Sequence, residues 1–462
     1  MSTNLDSPNQ SASNPKSLTG VALLDLDPGQ PEYSAPGQLS LVHLLEPNFG
    51  PPFAHPKPAS TSRTVRAHAI GAVSPSQDPS LYMACAIDLF GHYCSLLPNC
   101  PLLVNTPGWV LGTGLEILVE LITKIHPTEV VYMSQDGPLE VTKILKDVAK
   151  EIPFLELPSQ VSEYTTRTAA HLRTMQFMSY FHLNTSVGDS LTWSSLPLTS
   201  MPPWEVRYSG EDAGILGIMC YSEPPPAEFL AEMINGSLVA VVVIDDMSAI
   251  PGWEKEGQVK VDEDDIVDCT ENTGYSKLRA FDDEPEHPRN LAAPLIVQTV
   301  QEYLPYFNPE NLISLDPKYS HTIGLALVRG IDVERRRIQV ITPLTQDVMD
   351  EIKEAGKSIV LVSGKLDTPG WAYIEELINM STYDKAVSRE GSSQIALATR
   401  NEEGRDYGGG QGEEDFNGMR RSLGEGFQNA PWIERLHGSQ GRGVGARVWR
   451  VRRDLGRTGD GD

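Results

Sequence analysis

Through its first half the chain alternates short apolar runs with longer stretches of helical spacing. Val21-Ala-Leu-Leu-Asp25-Leu-Asp27 runs from four apolar residues into two aspartates and stops at Pro28-Gly29. That pattern predicts a buried parallel strand delivering acidic side chains to the carboxyl edge of an α/β sheet, where ligands bind in that architecture. Residues 38–45 read as a second strand and 46–62 as a Pro-rich loop. Helical spacing follows at 80–97, then an apolar strand over 101–105 that ends in the turn Thr106-Pro-Gly108-Trp109, then a helix over 115–125. A short strand at 128–133 and helices at 139–152 and 169–182 complete this half. Strands and helices alternating at that spacing predict a mostly parallel sheet with crossover helices.

From about residue 198 the pattern becomes β-rich, with apolar runs at 214–220, 237–245, 323–328, 338–341 and 358–362. The expected layout is a disordered leader over 1–20, an α/β domain over 21–197 and a mostly β domain over 198–380. Residues 381–429 are rich in Gly, Glu, Arg and Ser and too poor in apolar residues to order themselves, so they read as a disordered insertion. Residues 430–462 read as a basic tail of the β domain. No internal repeat stands out.

Composition narrows the class. A length of 462 residues suggests two or three domains. Five cysteines (Cys85, Cys94, Cys100, Cys220, Cys269) form no CxxC pair, which argues against structural zinc and fits a reducing compartment. No apolar run reaches transmembrane length and the polar start has no signal-peptide core, so a soluble intracellular protein without membrane contact is expected. The net charge of −25 argues at first against nucleic acid. It is unevenly spread, however: residues 254–286 are acidic, while Arg442, Arg447, Arg450, Arg452, Arg453 and Arg457 crowd the end. Those arginines suit nucleic acid, an acidic partner, docking on the acidic segment or a plain solvated face, and the sequence does not choose.

Three groups of residues carry candidate chemistry. Asp25 and Asp27, two apart on one face of a strand, can approach the same metal or water, as on the Walker B strand of nucleotide-hydrolysing proteins. The plainer reading is a solvated strand-end turn. In Asn105-Thr-Pro-Gly-Trp-Val-Leu-Gly112-Thr-Gly114 the glycines allow close backbone approach, Thr106 can donate to a phosphate, and Trp109 can stack a nucleobase. A core tryptophan beside a tight turn is the competing reading. Arg167 and Arg173, flanking His171, suit developing phosphoryl charge if they converge, and a solvated helix face if they do not. A Walker B strand needs a Gly-rich loop ending in Gly-Lys-Ser/Thr, and none stands ahead of Val21 in this sequence. Ala355-Gly-Lys357-Ser imitates one, but Glu351 takes the place of its first glycine and the apolar strand follows it instead of preceding it.

Taken in order, Asp-Leu-Asp-Pro-Gly-Gln30-Pro-Glu, the segment 66–82, the Thr-x-Gly-Trp-x-x-Gly-x-Gly block at 106–114 and the segment 167–182 closely resemble the nucleolar polynucleotide 5′-hydroxyl kinases of ribosomal-RNA processing. These are relatives of the kinase subunit of the mRNA cleavage machinery. The similarity covers roughly residues 20–380 and 430–457, and the tail looks like the fungal version. The resemblance implies a P-loop-NTPase-like α/β fold followed by a mostly β domain, with ATP and Mg²⁺ used to phosphorylate an RNA 5′-hydroxyl. It makes Asp25 and Asp27 the metal-binding and hydroxyl-activating pair, and Arg167 and Arg173 the lid arginines. Gln30, Thr106, Gly108, Trp109 and Gly112 become the substrate-gripping residues. It also implies a nuclear or nucleolar location and an endoribonuclease partner that leaves the 5′-hydroxyl end. The family's first strand and phosphate loop have no counterpart in this sequence, so the chain as written is expected to show little kinase activity. Residues 7–16 read as an inter-element loop, which suggests a longer natural form. The alternative expectation is a catalytically inert scaffold subunit of a ribonuclease complex, and a weaker one is an unrelated P-loop ATPase or GTPase.

Overall fold

A computed structural model of the chain describes residues 20–58, 62–134, 137–159, 167–184, 191–253 and 295–375. The leader, the acidic segment, the insertion and the basic tail expected above lie outside the described residues. By packing the chain divides into residues 1–159 with 169–378, and residues 160–168 with 379–462. In the second unit only Arg167 and Thr168 are described.

The first half builds a four-stranded sheet and a strand pair. Strands β1 (Val21–Asp25), β2 (Gln38–Leu44) and β3 (Arg63–Ala69) precede helix α1 (Pro79–Leu96) and strand β4 (Leu102–Asn105). They form one sheet in the order β3-β2-β1-β4. Only part of it is parallel: β1 runs parallel to β4 but antiparallel to β2, and β2 is antiparallel to β3. The reason is local, because β1, β2 and β3 are joined by loops with no α-helix, and an α-helical crossover is what usually joins parallel neighbours. Then come α2 (Thr113–Ile125), β5 (Val130–Met133), α3 (Leu139–Ala149) and β6 (Phe154–Leu157), with β5 and β6 forming a separate parallel pair. Helix α4 (Ala169–Phe181) follows, then a small antiparallel pair of β7 (Leu183–Asn184) and β8 (Thr192–Trp193).

The second half is a mixed eight-stranded sheet. Its elements are β9 (Trp204–Arg207), β10 (Gly217–Cys220), helix α5 (Leu230–Ile234), β11 (Leu238–Ile244), β12 (Ile296–Gln298) and β13 (Pro305–Phe307). They continue with β14 (Ser320–Asp332), β15 (Arg337–Ile341), α6 (Gln346–Glu354) and β16 (Ser358–Ser363), in the sheet order β12-β13-β10-β16-β11-β14-β15-β9. Every residue of β11 is buried, which explains its unbroken apolar run. Leu238, Ala240, Val242 and Ile244 face a core shared with Leu24, Tyr82, Leu89 and Phe177 of the first half. Val239, Val241 and Val243 face a second core on the opposite side of the sheet.

A half-buried ionic network ties the two sheets together. The Arg66 guanidinium on β3 donates to Asp88 of α1 at 2.9 Å and Asp245 at 3.3 Å, and to the carbonyls of Pro317 and Ser320 at 2.7 Å each. Asp88 also takes a bond from His68 at 2.8 Å, and Asp245 pairs with His321 at 2.9 Å and Lys357 at 2.7 Å. Burial pushes the Asp88 and Asp245 carboxyls up, but their cationic and hydrogen-bonding neighbours outweigh it and hold both below the usual range. The false phosphate loop is thereby explained. Gly356 adopts φ +65° just past α6, and Lys357 leaves that turn to reach Asp245.

Candidate functional site

The site begins where two parallel strands stop side by side. Asp25 and Asn105, the last residues of β1 and β4, are register partners. Asn105 Nδ2 donates to Asp25 Oδ1 at 2.9 Å, and the Leu26 N–H donates to the Asn105 carbonyl at 2.8 Å. Asp25 is fully buried; its Oδ2 accepts the Glu32 N–H at 2.6 Å and its Oδ1 the Asp27 N–H at 3.4 Å. Burial pushes its pKa up to about 6, despite these donors.

Asp27 stands differently. The strand ends at Asp25, so the two carboxylates do not share a strand face as the sequence suggested; Asp27 lies in the turn beyond. The cause is Leu26, which is buried and whose carbonyl accepts the Tyr82 hydroxyl of α1 at 3.0 Å. Asp27 Oδ1 closes the turn by accepting the N–H groups of Gly29 at 2.9 Å and Gln30 at 3.1 Å. Its Oδ2 has no hydrogen-bond partner among the described residues. Gln30 is exposed on the same turn.

The Thr106–Trp109 turn leaves β4 directly after Asn105, so both candidate turns spring from adjacent strand ends. Thr106 is half-buried, Gly108 exposed with open space where a Cβ would stand, and Gly112 takes φ +58° before α2. Trp109 is half-buried and packs on the rim of the core. Its indole lies over Gly114, where a Cβ would sit 2.8 Å from the ring. Gly114 is thus the glycine the turn sterically requires, a role the sequence alone had not separated from Gly108.

Helix α4 holds the acidic turn from outside. Gln176 is buried and donates to the carbonyls of Pro31 at 2.5 Å and Ser34 at 2.7 Å. Arg173 pairs with Asp367 at 2.7 Å. Arg167 is exposed and belongs to the second unit, so only Arg173 of the arginine pair is described together with the acidic turn. Glu32 closes the turn's far side through His55, whose Nε2 lies 2.8 Å from its carboxylate.

Sequence reasoning missed these supports, and one signal for them was in view. Thr-Pro-Gly-Trp recurs at 368–371, beside Asp367. There the tryptophan is buried, with Trp371 stacked on Phe177 at 5.9 Å and tilted against Phe181 at 5.6 Å, both from α4. One tetrapeptide thus serves as packing for α4, while its twin at 106–109 keeps a partly open indole.

Among the described residues, no three His, Cys, Asp or Glu side chains gather to hold a metal by themselves. The free Asp27 oxygen beside a buried Asp25 fits a hard cation that takes its other ligands from phosphate and water, as Mg²⁺ does.

Comparison with known proteins fits this geometry. The family described as mRNA cleavage and polyadenylation factor CLP1 P-loop matches residues 12–183. Polynucleotide 5′-hydroxyl-kinase GRC3 of Gibberella zeae is 41% identical over 455 residues, covering 96% of this chain and 56% of that protein. The polynucleotide 5′-hydroxyl-kinase grc3 of Aspergillus niger is 40% identical over 384 residues, 77% of this chain and 45% of its own length. That of Neosartorya fischeri is 36% identical over 448 residues, 92% of this chain and 53% of its length. The chain spans about half the length of the curated relatives it matches. On this kinship, from the acidic strand end to the eight-stranded sheet, the chain belongs to the polynucleotide 5′-hydroxyl-kinase family.

Proposed function

We propose that the protein takes part in ATP-dependent phosphorylation of RNA 5′-hydroxyl ends. The observation that carries this reading is the Asn105–Asp25 bond, which sets an acidic turn and a tryptophan-bearing turn at neighbouring strand ends. The 5′ oxygen attacks the γ-phosphorus, the bond from that phosphorus to the β,γ-bridging oxygen breaks, and ADP leaves with its electrons. Asp27 offers its free oxygen to Mg²⁺ or to the proton of the attacking hydroxyl. Mg²⁺, when bound, neutralises charge on the β- and γ-phosphates. Asp25 shapes the turn through its N–H donors, and Trp109 stacks the terminal base. Gln30, Thr106, Gly108 and Gly112 line the approach of the substrate backbone, while Arg173 meets phosphoryl charge once it exchanges Asp367 for the substrate.

The resemblance also supports a role in pre-rRNA processing in the nucleus and nucleolus, on ends left by an endoribonuclease partner. The test is a labelling assay. A polypeptide carrying this chain in continuity with the rest of the Gibberella zeae kinase is given 5′-hydroxyl oligoribonucleotide, Mg²⁺ and γ-labelled ATP. Label should appear on the 5′ end and fall by at least about a hundredfold in Asp27→Asn, the order expected for loss of an electrostatic or acid–base group. Undiminished transfer by that variant would reject the assignment of Asp27. Absence of transfer by the parent would reject the kinase reading and leave the scaffold.

A further inference from the structure

One buried amide on α4 grips the loop that carries both aspartates. Gln176 is 3% exposed, and its nearest companions along the helix, Phe177, Tyr180 and Phe181, are buried in the core. Glutamine is mostly a surface residue, and an amide among aromatic side chains persists only where hydrogen bonds offset its desolvation. Here the Nε2 group donates twice, to the Pro31 carbonyl at 2.5 Å and to the Ser34 carbonyl at 2.7 Å. Two carbonyl acceptors fix the orientation of the amide, since only its nitrogen carries donors.

Pro31 and Ser34 flank Glu32, whose N–H donates to Asp25 Oδ2 at 2.6 Å. Just before them stand Gly29 and Gln30, whose N–H groups bind Asp27 Oδ1. Residues 26–37 contain no strand or helix of their own, so this backbone takes its shape from such outside contacts. By holding it at two carbonyls, Gln176 stops the loop from sliding along α4. One turn earlier on the same helix, Arg173 pairs with Asp367 at 2.7 Å. Positions three apart are neighbours on a helix surface, so the arginine and the amide that grips the acidic loop move as one body.

We propose that Gln176 is a positioning residue for phosphoryl transfer, setting the acidic loop against α4 so that Asp27 and Arg173 address the same phosphoryl group. It touches neither nucleotide nor RNA and acts through the Pro31 and Ser34 carbonyls alone. The inference rests on the phosphoryl-transfer reading and adds to it a residue remote from the reacting atoms. The competing account is that Gln176 only fills space beside Phe177. Donation is then irrelevant, and methionine, flexible and of similar length, serves as well.

The experiment compares Gln176→Met, which keeps the length and loses both N–H donors, with the parent. Amide exchange of the chain is followed at Gly29, Gln30 and Glu32. These three protons should exchange at least about tenfold faster in the variant, while those of β11 keep their protection. In the labelling assay described above, kcat should fall at least about tenfold with KM for RNA within about twofold, since a misplacement of about 1 Å can cost about a hundredfold. Val243→Ala, in the second core on the far side of the sheet, controls for lost stability and should leave kcat within about twofold. If Gln176→Met does not fold, Gln176→Asn, one methylene too short to reach both carbonyls, replaces it with the same expected directions. Unchanged exchange at the three amides overturns the proposal, as does faster exchange there with kcat intact. An equal fall of kcat in Val243→Ala overturns it in favour of packing. A parent that transfers no label rejects the phosphoryl-transfer reading itself, an outcome distinct from an active parent whose variant is equally active.

Discussion

Asn105 donates its side-chain N–H to Asp25 across 2.9 Å, so the end of each of two parallel strands fixes the other. The pair joins the acidic turn to the tryptophan turn. Removing the amide in Asn105→Ala leaves a buried carboxylate short of a donor, and should cost about 1–3 kcal/mol of unfolding free energy. Asn105→Asp should cost more, because it faces one carboxylate with another. Exchanging the two residues, Asp25→Asn with Asn105→Asp, restores an amide–carboxylate pair. It should therefore recover at least about 1 kcal/mol over the sum of the single changes. Urea unfolding of the four proteins reads this directly, and strict additivity would show that the bond contributes nothing.

Asp25 should also write itself into the pH dependence of stability. Burial raises its carboxyl from 3.8 to about 6, so over that range the folded state holds its proton more firmly than the unfolded chain. The contribution of Asp25 is then greatest at low pH and is lost as pH rises through about 6, a total of about 3 kcal/mol. Relative to Asp25→Asn, the parent should lose about 2 kcal/mol between roughly pH 4.5 and pH 7.5. Thermal unfolding across that range tests it, and a difference of opposite slope would mean that the N–H donors outweigh burial.

How much of this was legible beforehand depends on how local the cause was. The positions of β1, β4, α2 and α4 follow from apolar spacing and turn residues, and the structure moves their ends by only a residue or two. The antiparallel placing of β2 was not visible, because an apolar run such as Leu39 to Val42 carries no mark of strand direction. β3 was missed because Arg63, Arg66 and His68 interrupt its apolar alternation. In the structure half-buried Arg66 and buried His68 both bond to Asp88, twenty or more residues away. At the site, the acidic and tryptophan turns were readable as motifs. The supports were not: Gln176 reaches Pro31, and Arg173 reaches Asp367, across 145 and 194 positions of sequence.

The Arg66 network predicts a large loss from one substitution. Arg66→Met strips a guanidinium from two carboxylates whose side chains are 13% and 24% exposed, Asp88 and Asp245. Breaking a fully buried ion pair from one side costs about 3–5 kcal/mol, and the partial exposure of this one lowers the expected loss to about 2–3 kcal/mol. Arg66→Lys should rescue little, because one ammonium cannot serve two carboxylates and the carbonyls of Pro317 and Ser320 together. With less cation nearby, the two carboxylates lose part of what holds them ionised. The variants should accordingly show a flatter decline of stability as pH falls into the acid range. Urea titrations at several pH values check both the size and the slope.

The two Thr-Pro-Gly-Trp turns make an internal control for the binding role of Trp109. Trp371 is buried in the aromatic stack beneath α4, so Trp371→Ala should cost about 3–5 kcal/mol of stability. Trp109 is only half-buried and its loss should unsettle the fold far less. If its indole stacks a base, Trp109→Ala should weaken binding of a 5′-hydroxyl oligoribonucleotide by about 1–3 kcal/mol, roughly fivefold to 150-fold. Nucleotide affinity of the polypeptide used in the labelling assay should stay nearly unchanged, because Asp25 and Asp27 are untouched. Fluorescence anisotropy with labelled RNA, run beside ATP binding, separates the outcomes. Loss of ATP affinity with RNA binding intact would assign the Trp109 turn to the nucleotide and remove the stacking role from the mechanism.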